Sequence, residues 1–445
     1  MAAPDSPALE GPADPAVDPV TPARIGRVVV GMLTSSIGAL IALITPIQLL
    51  LTLHLVDIAG QGAAAAFGVV TGLGALVALF ANPIGGRLSD RTAARFGRRR
   101  TWILTGGLIG SAILFVLPIT SEVWQVALLW CFVQGAFNFQ QAATNALLAD
   151  QVPERRRGTA SGIGALGGTL GPLVGLTAVS LVQDPTWQWY IAGIAGVVGC
   201  VVAVLILRDP AKARAPRTER MSLLELSKTF WFNPAQFPAL GFAWLIRFLL
   251  TTAYVSSTYN ALLLIDHFGV APAEVAGIVL TISVVGTLIT AVVAVVGGPI
   301  SDRVGRQKPF VIASGVLLAV ALIMMAFAPS VGFVIAAAVP LGIGGGLFFA
   351  IDLAMCVRML PNMDDAGKDF AILNIANTLP QSIVPFIAPG LIALGGYPAL
   401  YLTLAVAGLV GAGLVLRLPE IGKEGDPRWA QIRRSDLVAA TPAES

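Results

Sequence analysis

"GGRLSDRTAARFGRRRTW", Gly85 to Trp102, sets six arginines and one aspartate between two uncharged apolar runs. A shorter version, "GGPISDRVGRQKPF", Gly297 to Phe310, returns in the second half of the chain. Gly86, Ser89, Asp90 and Arg91 match Gly298, Ser301, Asp302 and Arg303 at an offset of 212. Phe96, Gly97 and Arg98 then match Val304, Gly305 and Arg306 at an offset of 208, because the first copy carries a four-residue insertion, "TAAR" (92–95). Farther on, "QVPERRRG" and "MLPNMDDAG" occupy equivalent places. The chain is a duplication.

What is duplicated follows from the residues around these loops. The 445 residues are 56% hydrophobic and 12% charged, against about 25% charged in a soluble domain. Such a chain lacks the surface for a water-soluble globule. Its apolar residues fall into twelve runs, at 26–53, 63–86, 101–119, 123–148, 159–182, 187–207, 238–265, 273–299, 310–328, 331–358, 370–394 and 397–417. Runs of this length cross a hydrocarbon core of about 30 Å as helices. The reading is an all-α membrane protein with twelve transmembrane helices in two parallel six-helix repeats.

Charge orients it. Of the 28 basic residues, 27 fall in segments on one side of such a topology, and Arg247 alone sits inside a run. Positive residues gather on the cytoplasmic side, so both termini are expected there, in the plasma (cell inner) membrane. The expected organisation is a disordered cytoplasmic tail (1–23), a six-helix bundle (24–208), a cytoplasmic central loop (209–237), a second bundle (238–418) and a C-terminal tail (419–445). "SLLELSKTFWF", Ser222 to Phe232, opens with a capping box and reads as an interfacial helix within the central loop. Two parallel repeats around a midplane cavity are a transporter arrangement.

The twice-placed motif, "G-x-L-S-D-R … F-G-R-R-R" and "G-x-I-S-D-R-V-G-R", resembles the signature loop of the major facilitator superfamily. The inserted "SDRTAARFGRRRTW" further resembles the glycoside–pentoside–hexuronide branch and its sucrose–proton symporter relatives. "ITPIQLLLTLH" (Ile44 to His54) is similar to the first helix of those symporters, one residue shorter and without their tyrosine. The resemblance implies alternating access, with Gly86, Asp90, Arg91, Gly97 and Arg98, and again Gly298, Asp302, Arg303, Gly305 and Arg306, forming a gating motif on the cytoplasmic side. Asp90 and Asp302 each lie at a helix C-terminus, where the macrodipole disfavours a carboxylate unless cations compensate it. In the family such an aspartate also faces the opposite half, as a latch that breaks when the halves rock. A plainer role for these arginines is to set topology and hold anionic lipid.

Two ionisable residues lie well inside the runs. Arg247 is nine residues past Pro238, and Asp352 is nine before Pro361. At 1.5 Å per residue both sit roughly 13 Å from the cytoplasmic side, so they can pair. A charge at such depth costs about 2.5–3.5 kcal/mol on insertion scales and needs a partner or water. Asp352 is a candidate proton carrier, Arg247 a candidate ligand for an anionic or hydroxyl-rich solute, and a permanent structural pair is the alternative. Polar stripes run beside them. Gln134, Asn138, Gln141 and Asn145 share one face of the fourth helix. Trp244, Arg247, Thr251, Tyr254 and Thr258 share one face of the seventh. Thr45, Gln48 and Thr52 lie in the first helix, and Asn374, Asn377 and Gln381 in the eleventh. The resemblance places helices 1, 4, 7 and 10 around the cavity. His54 and His267 lie near outer helix ends, where a histidine titrates or simply faces water.

Other patterns carry less. "GIGALG" (Gly162 to Gly167) fits a dinucleotide fingerprint but follows a basic loop within a membrane run, where no such turn forms. Gly167, Gly171 and Gly175 recur every four residues, the spacing for close helix approach. That run also resembles the helix-5 motif of drug–proton antiporters, save that its final glycine is Leu176 here. Cys131, Cys200 and Cys356 read as small core residues. With no Walker A pattern, metal cluster or nucleophile–base pairing, the chain is expected not to be an enzyme. Transport would draw on a proton gradient, with no cofactor. The acids of melibiose-permease-like relatives are missing, which disfavours sodium. The expected function is proton-coupled secondary transport of a small polar solute, such as a sugar or glycoside. Export of a drug or metabolite and a receptor on a transporter fold are the rivals. A monomer, with no nucleic-acid partner, is expected.

Overall fold

The computed structural model describes residues 22–92, 94–209, 238–358 and 366–418, and every long element among them is a helix. The expected tails and the interfacial helix Ser222–Phe232 lie outside the described residues, as do the side chains of Asp302 and Cys356. Helix α1 runs through Pro22–Thr45, loosens into a π turn at Pro46–Leu50 and resumes as Leu51–Ala59. The first half continues with α2 (Ala63–Arg91), α3 (Arg98–Val116), α4 (Val123–Gln151), α5 (Glu154–Ser180) and α6 (Pro185–Ile206). Helix α7 begins as Pro238–Tyr254, tightens to a 3-10 turn at Val255–Tyr259 and ends in Asn260–Leu262 and a π turn at Leu263–His267. Then come α8 (Pro272–Val304), α9 (Lys308–Ala326) and α10 (Val331–Arg358). The stretch Ala366–Arg417 is two legs, α11 (366–394) and α12 (397–417), parted where Gly395 and Gly396 leave the helical region.

Nine helical stretches among the described residues are long and apolar enough to cross a bilayer. Two of these, Ile25–Arg91 and Ile372–Arg417, each hold two legs. Helix α4 makes the twelfth crossing, and its amides, among them Gln134, Asn138, Gln140, Gln141 and Asn145, dilute its apolar character. A helix suits this setting because it satisfies its own backbone groups where lipid offers no partner.

Within each half, small residues set the helix crossings, since packing rather than water drives association in lipid. On α1, a Cβ at Gly38 would lie 2.7 Å from the Gly199 Cα of α6. Gly107 of α3 faces the Cys200 Cβ at 2.5 Å, and Gly315 of α9 faces the Ala412 Cβ of α12 at 2.8 Å. Gly107 and Gly315 match at the repeat offset of 208, so the α3–α6 crossing and its α9–α12 counterpart each turn on an equivalent glycine. Gly167, Gly171 and Gly175 of α5 press on Ser36, Leu40 and Thr45 of α1, the close approach their spacing foretold.

The start of α1 lies beside Arg208 and the end of α12 beside Lys308, at the end that carries the basic loops, the basic face. Between the halves, contact is on the opposite, far side. Phe67 of α2 and Tyr259 of α7, both fully buried, meet edge to face with ring centroids 5.5 Å apart. Gly68 and Gly72 of α2 back onto Pro385, Pro389 and Phe386 of α11. Pro389 has no N–H, so the Pro385 carbonyl lacks its helical donor; the Tyr259 hydroxyl donates to it at 3.4 Å. The π turn of α1 packs on the 3-10 turn of α7. Toward the basic face, Gly86, Gly162, Gly164, Gly168 and Gly298 have no described atom within 4 Å of where a Cβ would stand. Among the described residues, these close contacts between the halves lie on the far side.

Candidate functional site

Helix α10 reaches its neighbours through three consecutive glycines. Successive residues turn about 100° around a helix, so each glycine meets a different helix. Gly344 lies 3.0 Å from the Ser314 carbonyl of α9, Gly345 2.6 Å from the Tyr254 ring of α7 and Gly346 2.7 Å from Val293 of α8, measured from the Cβ each lacks. Seven residues along both helices, two turns nearer the basic face, stand Arg247 and Asp352. Arg247 Nη2 donates to Asp352 Oδ2 at 2.9 Å, with the side chains 15% and 9% exposed. The expected pair forms, and the Tyr254–Gly345 contact above it draws the two helices close enough to make it. Tyr254 also meets Phe349 edge to face at 5.2 Å. Thr251 donates to Asn377 Oδ1 at a long 3.5 Å, which brings α11 to the same place.

The α4 stripe divides. Asn138 Nδ2 donates to the Gln134 carbonyl at 2.8 Å and to Gln134 Oε1 at 3.2 Å, so those two serve each other along the helix. The Gln141 Oε1 is buried and has no hydrogen-bond partner among the described residues, and the Gln48 Oε1 in the π turn of α1 is in the same condition. A buried acceptor left open calls for water or a ligand. Asn145 is exposed, as are Asn374 and Gln381. Gln140 and Thr144, around the helix from the stripe, bond to Ser35 of α1 at 3.1 and 2.8 Å and fasten the first bundle. His54 Nε2 meets the Thr120 hydroxyl at 2.8 Å, while His267 is exposed beside Phe268 and Tyr397.

On the basic face the arginine loop closes on one residue. The Arg99 side chain, 4% exposed, donates from Nε to Asp150 Oδ2 at 2.8 Å. Its Nη2 donates to Asp90 and its Nη1 to the Ser89 hydroxyl. Arg98 Nη2 reaches the same Asp150 oxygen at 2.7 Å. Both carboxylates end helices, α2 and α4, so these cations offset the dipole at two termini. Burial pushes the Asp150 carboxyl up, but the hydrogen bonds and charges of Arg99 and Arg98 outweigh it and hold it below the ordinary carboxylate range. Asp209, just past α6, accepts from the backbone N–H of Arg99 at 2.6 Å and of Arg100 at 3.3 Å, capping α3 from another helix. Gly97 allows this with φ of 99°, where a side chain is strained, and a Cβ would stand 2.5 Å from the Asp209 carbonyl. Arg100 lies over the Phe96 ring, 4.3 Å from its centroid.

In the second copy Arg303, Gly305 and Arg306 are exposed, and Gly305 has φ of 63°. Lys308 Nζ donates to the Leu416 and Leu418 carbonyls at 2.9 and 2.7 Å, closing the end of α12. Asp90 is 55% exposed, and its ion pair lies within its own half. Among the described residues its ion-pair partner is Arg99 of the same bundle. Asp150 and Asp209 went unnamed in the sequence reading. Asp150 carries the same signal as Asp90, a carboxylate at a helix C-terminus near arginines; Asp209 acts at long range and gives no local signal.

A family model described as Major Facilitator Superfamily matches residues 25–293 and 243–441. The ectoine/proline transporter ProP of Corynebacterium glutamicum is 24% identical over 378 residues, covering 76% of this chain and 73% of that protein. The multidrug resistance protein MdtG of Dickeya zeae is 34% identical over 145 residues, 31% of this chain and 33% of the relative. Among solved structures, an aspartate mutant of the nucleoside transporter NupG superposes with a TM-score of 0.69 at 14% identity, over 87% of this chain and 99% of that one. That likeness speaks to the fold.

Proposed function

The chain belongs to the major facilitator superfamily, and from that membership we propose that it carries a small polar solute across the membrane by alternating access, coupled to protons. It is a membrane transporter and not an enzyme. We take the basic face as cytoplasmic, in the plasma membrane, because 27 of the 28 basic residues lie there in the twelve-crossing arrangement. The observation that carries the proposal is the Arg247–Asp352 pair at 2.9 Å within the second bundle. Intramembrane charges of this kind mark solute and proton pathways. A proton arriving on Asp352 cancels the charge that holds Arg247. A solute carboxylate or hydroxyl then competes for the guanidinium, and solute and proton move together.

The solute class is narrowed by the same groups. Arg247 with the open amide oxygens of Gln48 and Gln141 offers donors and acceptors to a sugar or glycoside, in keeping with the likeness of the arginine loop. ProP, matched over 76% of this chain, is named for ectoine and proline. Both are zwitterions, and an opposed Arg–Asp pair fits a zwitterion as well. Proteoliposomes with an imposed inward pH gradient test this: one of proline, ectoine, glycosides or nucleosides should accumulate. Binding with no flux of any solute would overturn the transport coupling in favour of a receptor.

A second reading, proton-driven export, is favoured by the partial match to MdtG. The sign of flux separates the two, since an exporter loads inverted vesicles as protons leave them.

A further inference from the structure

We propose that the inner ends of α1 and α6 hold one molecule of anionic phospholipid, its phosphate between Arg27 and Arg208. The two helices touch where Gly38 meets Gly199, and again where Gly31 meets the Leu207 side chain at 2.6 Å. Ile25 and Val28 stay buried in one cluster with Val204 and Leu207, but at Gly26, about 18 Å along α1 from Gly38, a gap is left, with no described atom within 4 Å of a Cβ position. The opening is a groove lined by Gly26, Arg27, Val30, Leu205, Ile206 and Arg208.

Its chemistry is two-layered. Val30 and Leu205 are 48% and 76% exposed and form an apolar wall on the membrane side. Arg27 and Arg208 are exposed at its mouth, on the basic face. Among the described residues no acid lines the groove. The nearest in sequence, Asp209, is turned the other way, its carboxylate taken by the backbone N–H groups of Arg99 and Arg100. The guanidinium of Arg208 is therefore not neutralised by its neighbour. Two cations above an apolar wall at the membrane surface match a phosphodiester above acyl chains. A soluble anion would use the cations and leave the wall idle.

The test uses the full chain in mixed micelles, with phosphatidylglycerol as the probe and retained lipid read by native mass spectrometry. The wild type should retain phosphatidylglycerol, and phosphatidylcholine far less. Losing both arginines in R27Q/R208Q should weaken phosphatidylglycerol retention about thirtyfold. R27K/R208K, which keeps the charge, should hold most of it and guards against a folding defect in the first variant. The R156Q/R417Q variant, which removes two exposed arginines outside the groove and outside the gating motif, should bind as the wild type does. Equal retention by R27Q/R208Q, equal retention of phosphatidylcholine, or displacement by excess inorganic phosphate would each overturn the assignment, the last by showing a free-phosphate site.

Discussion

Arg247 and Asp352 stand two turns below the contact of Tyr254 with Gly345, so one close approach of α7 and α10 positions an intramembrane ion pair. Placing a bulky residue at Gly345 would part the helices and leave both charges poorly paired. The consequences of the pair itself are direct.

Asp352→Asn keeps the shape of the side chain and removes its charge and its titration. Solute accumulation driven by a pH gradient should be lost, while solute exchange at equal pH on both sides continues. Counterflow in proteoliposomes measures the second. Intact pH-driven accumulation in this variant would show that the pair is purely structural.

The far-side closure rests on a glycine. A Cβ at Gly68 would stand 2.4 Å from the Pro385 carbonyl, so Gly68→Trp must hold α2 and α11 apart. Transport should fall to a small fraction with the folded amount unchanged. In a cysteine-free background, Tyr254→Cys should react faster with an impermeant maleimide from the far side once Gly68→Trp is added. An unchanged labelling rate would place the closure elsewhere.

Arg99 binds Asp90 and Asp150 at once, so Arg99→Gln leaves two carboxylates without their shared cation. The cost should be about 2 kcal/mol, less than for a fully buried pair because Asp90 faces solvent. The folded-state lowering of the Asp150 carboxyl fixes the pH behaviour. Its stabilisation is complete above the unfolded carboxylate value and is lost as pH falls through the lower folded one. Thermal midpoints should drop below about pH 4, and Asp150→Asn should flatten that part of the curve. Asp90→Asn should slow transport with little change in folded amount; unchanged rates would remove any gating role for this aspartate.

At the start of α3, Asp209→Ala removes a cap and should cost about 1 kcal/mol. Gly97→Ala forces a side chain into the positive-φ region and against the Asp209 carbonyl, for about 1–2 kcal/mol. Both are read as thermal shifts in detergent. Equal stability of the two variants and the wild type would mean that this junction bears no load.

The fold was legible because the bilayer imposes it: twelve apolar runs, one basic side and a repeated loop leave few arrangements. The Arg247–Asp352 pair was legible for a related reason, since two buried charges at equal depth need each other. The stripe on α4 was only half legible. Amide spacing shows that Gln134, Asn138 and Gln141 share a face, but not that Asn138 is taken up by Gln134 while Gln141 is left open. The role of Gly344–Gly346 was hidden because a glycine's meaning lies in which helix comes near. Phe67 and Tyr259 read as ordinary apolar residues, and only the contact between bundles makes them a closure.

One further property follows from how each bundle is tied at its rim. In the first, a carboxylate after α6 grips the amides that open α3; in the second, the lysine that opens α9 grips the carbonyls that end α12. The polarity is reversed, yet the same two helices are laced together at the same level. In the alternating-access cycle proposed above, these ties keep α3 with α6 and α9 with α12, which leaves the line between the bundles as the seam to open.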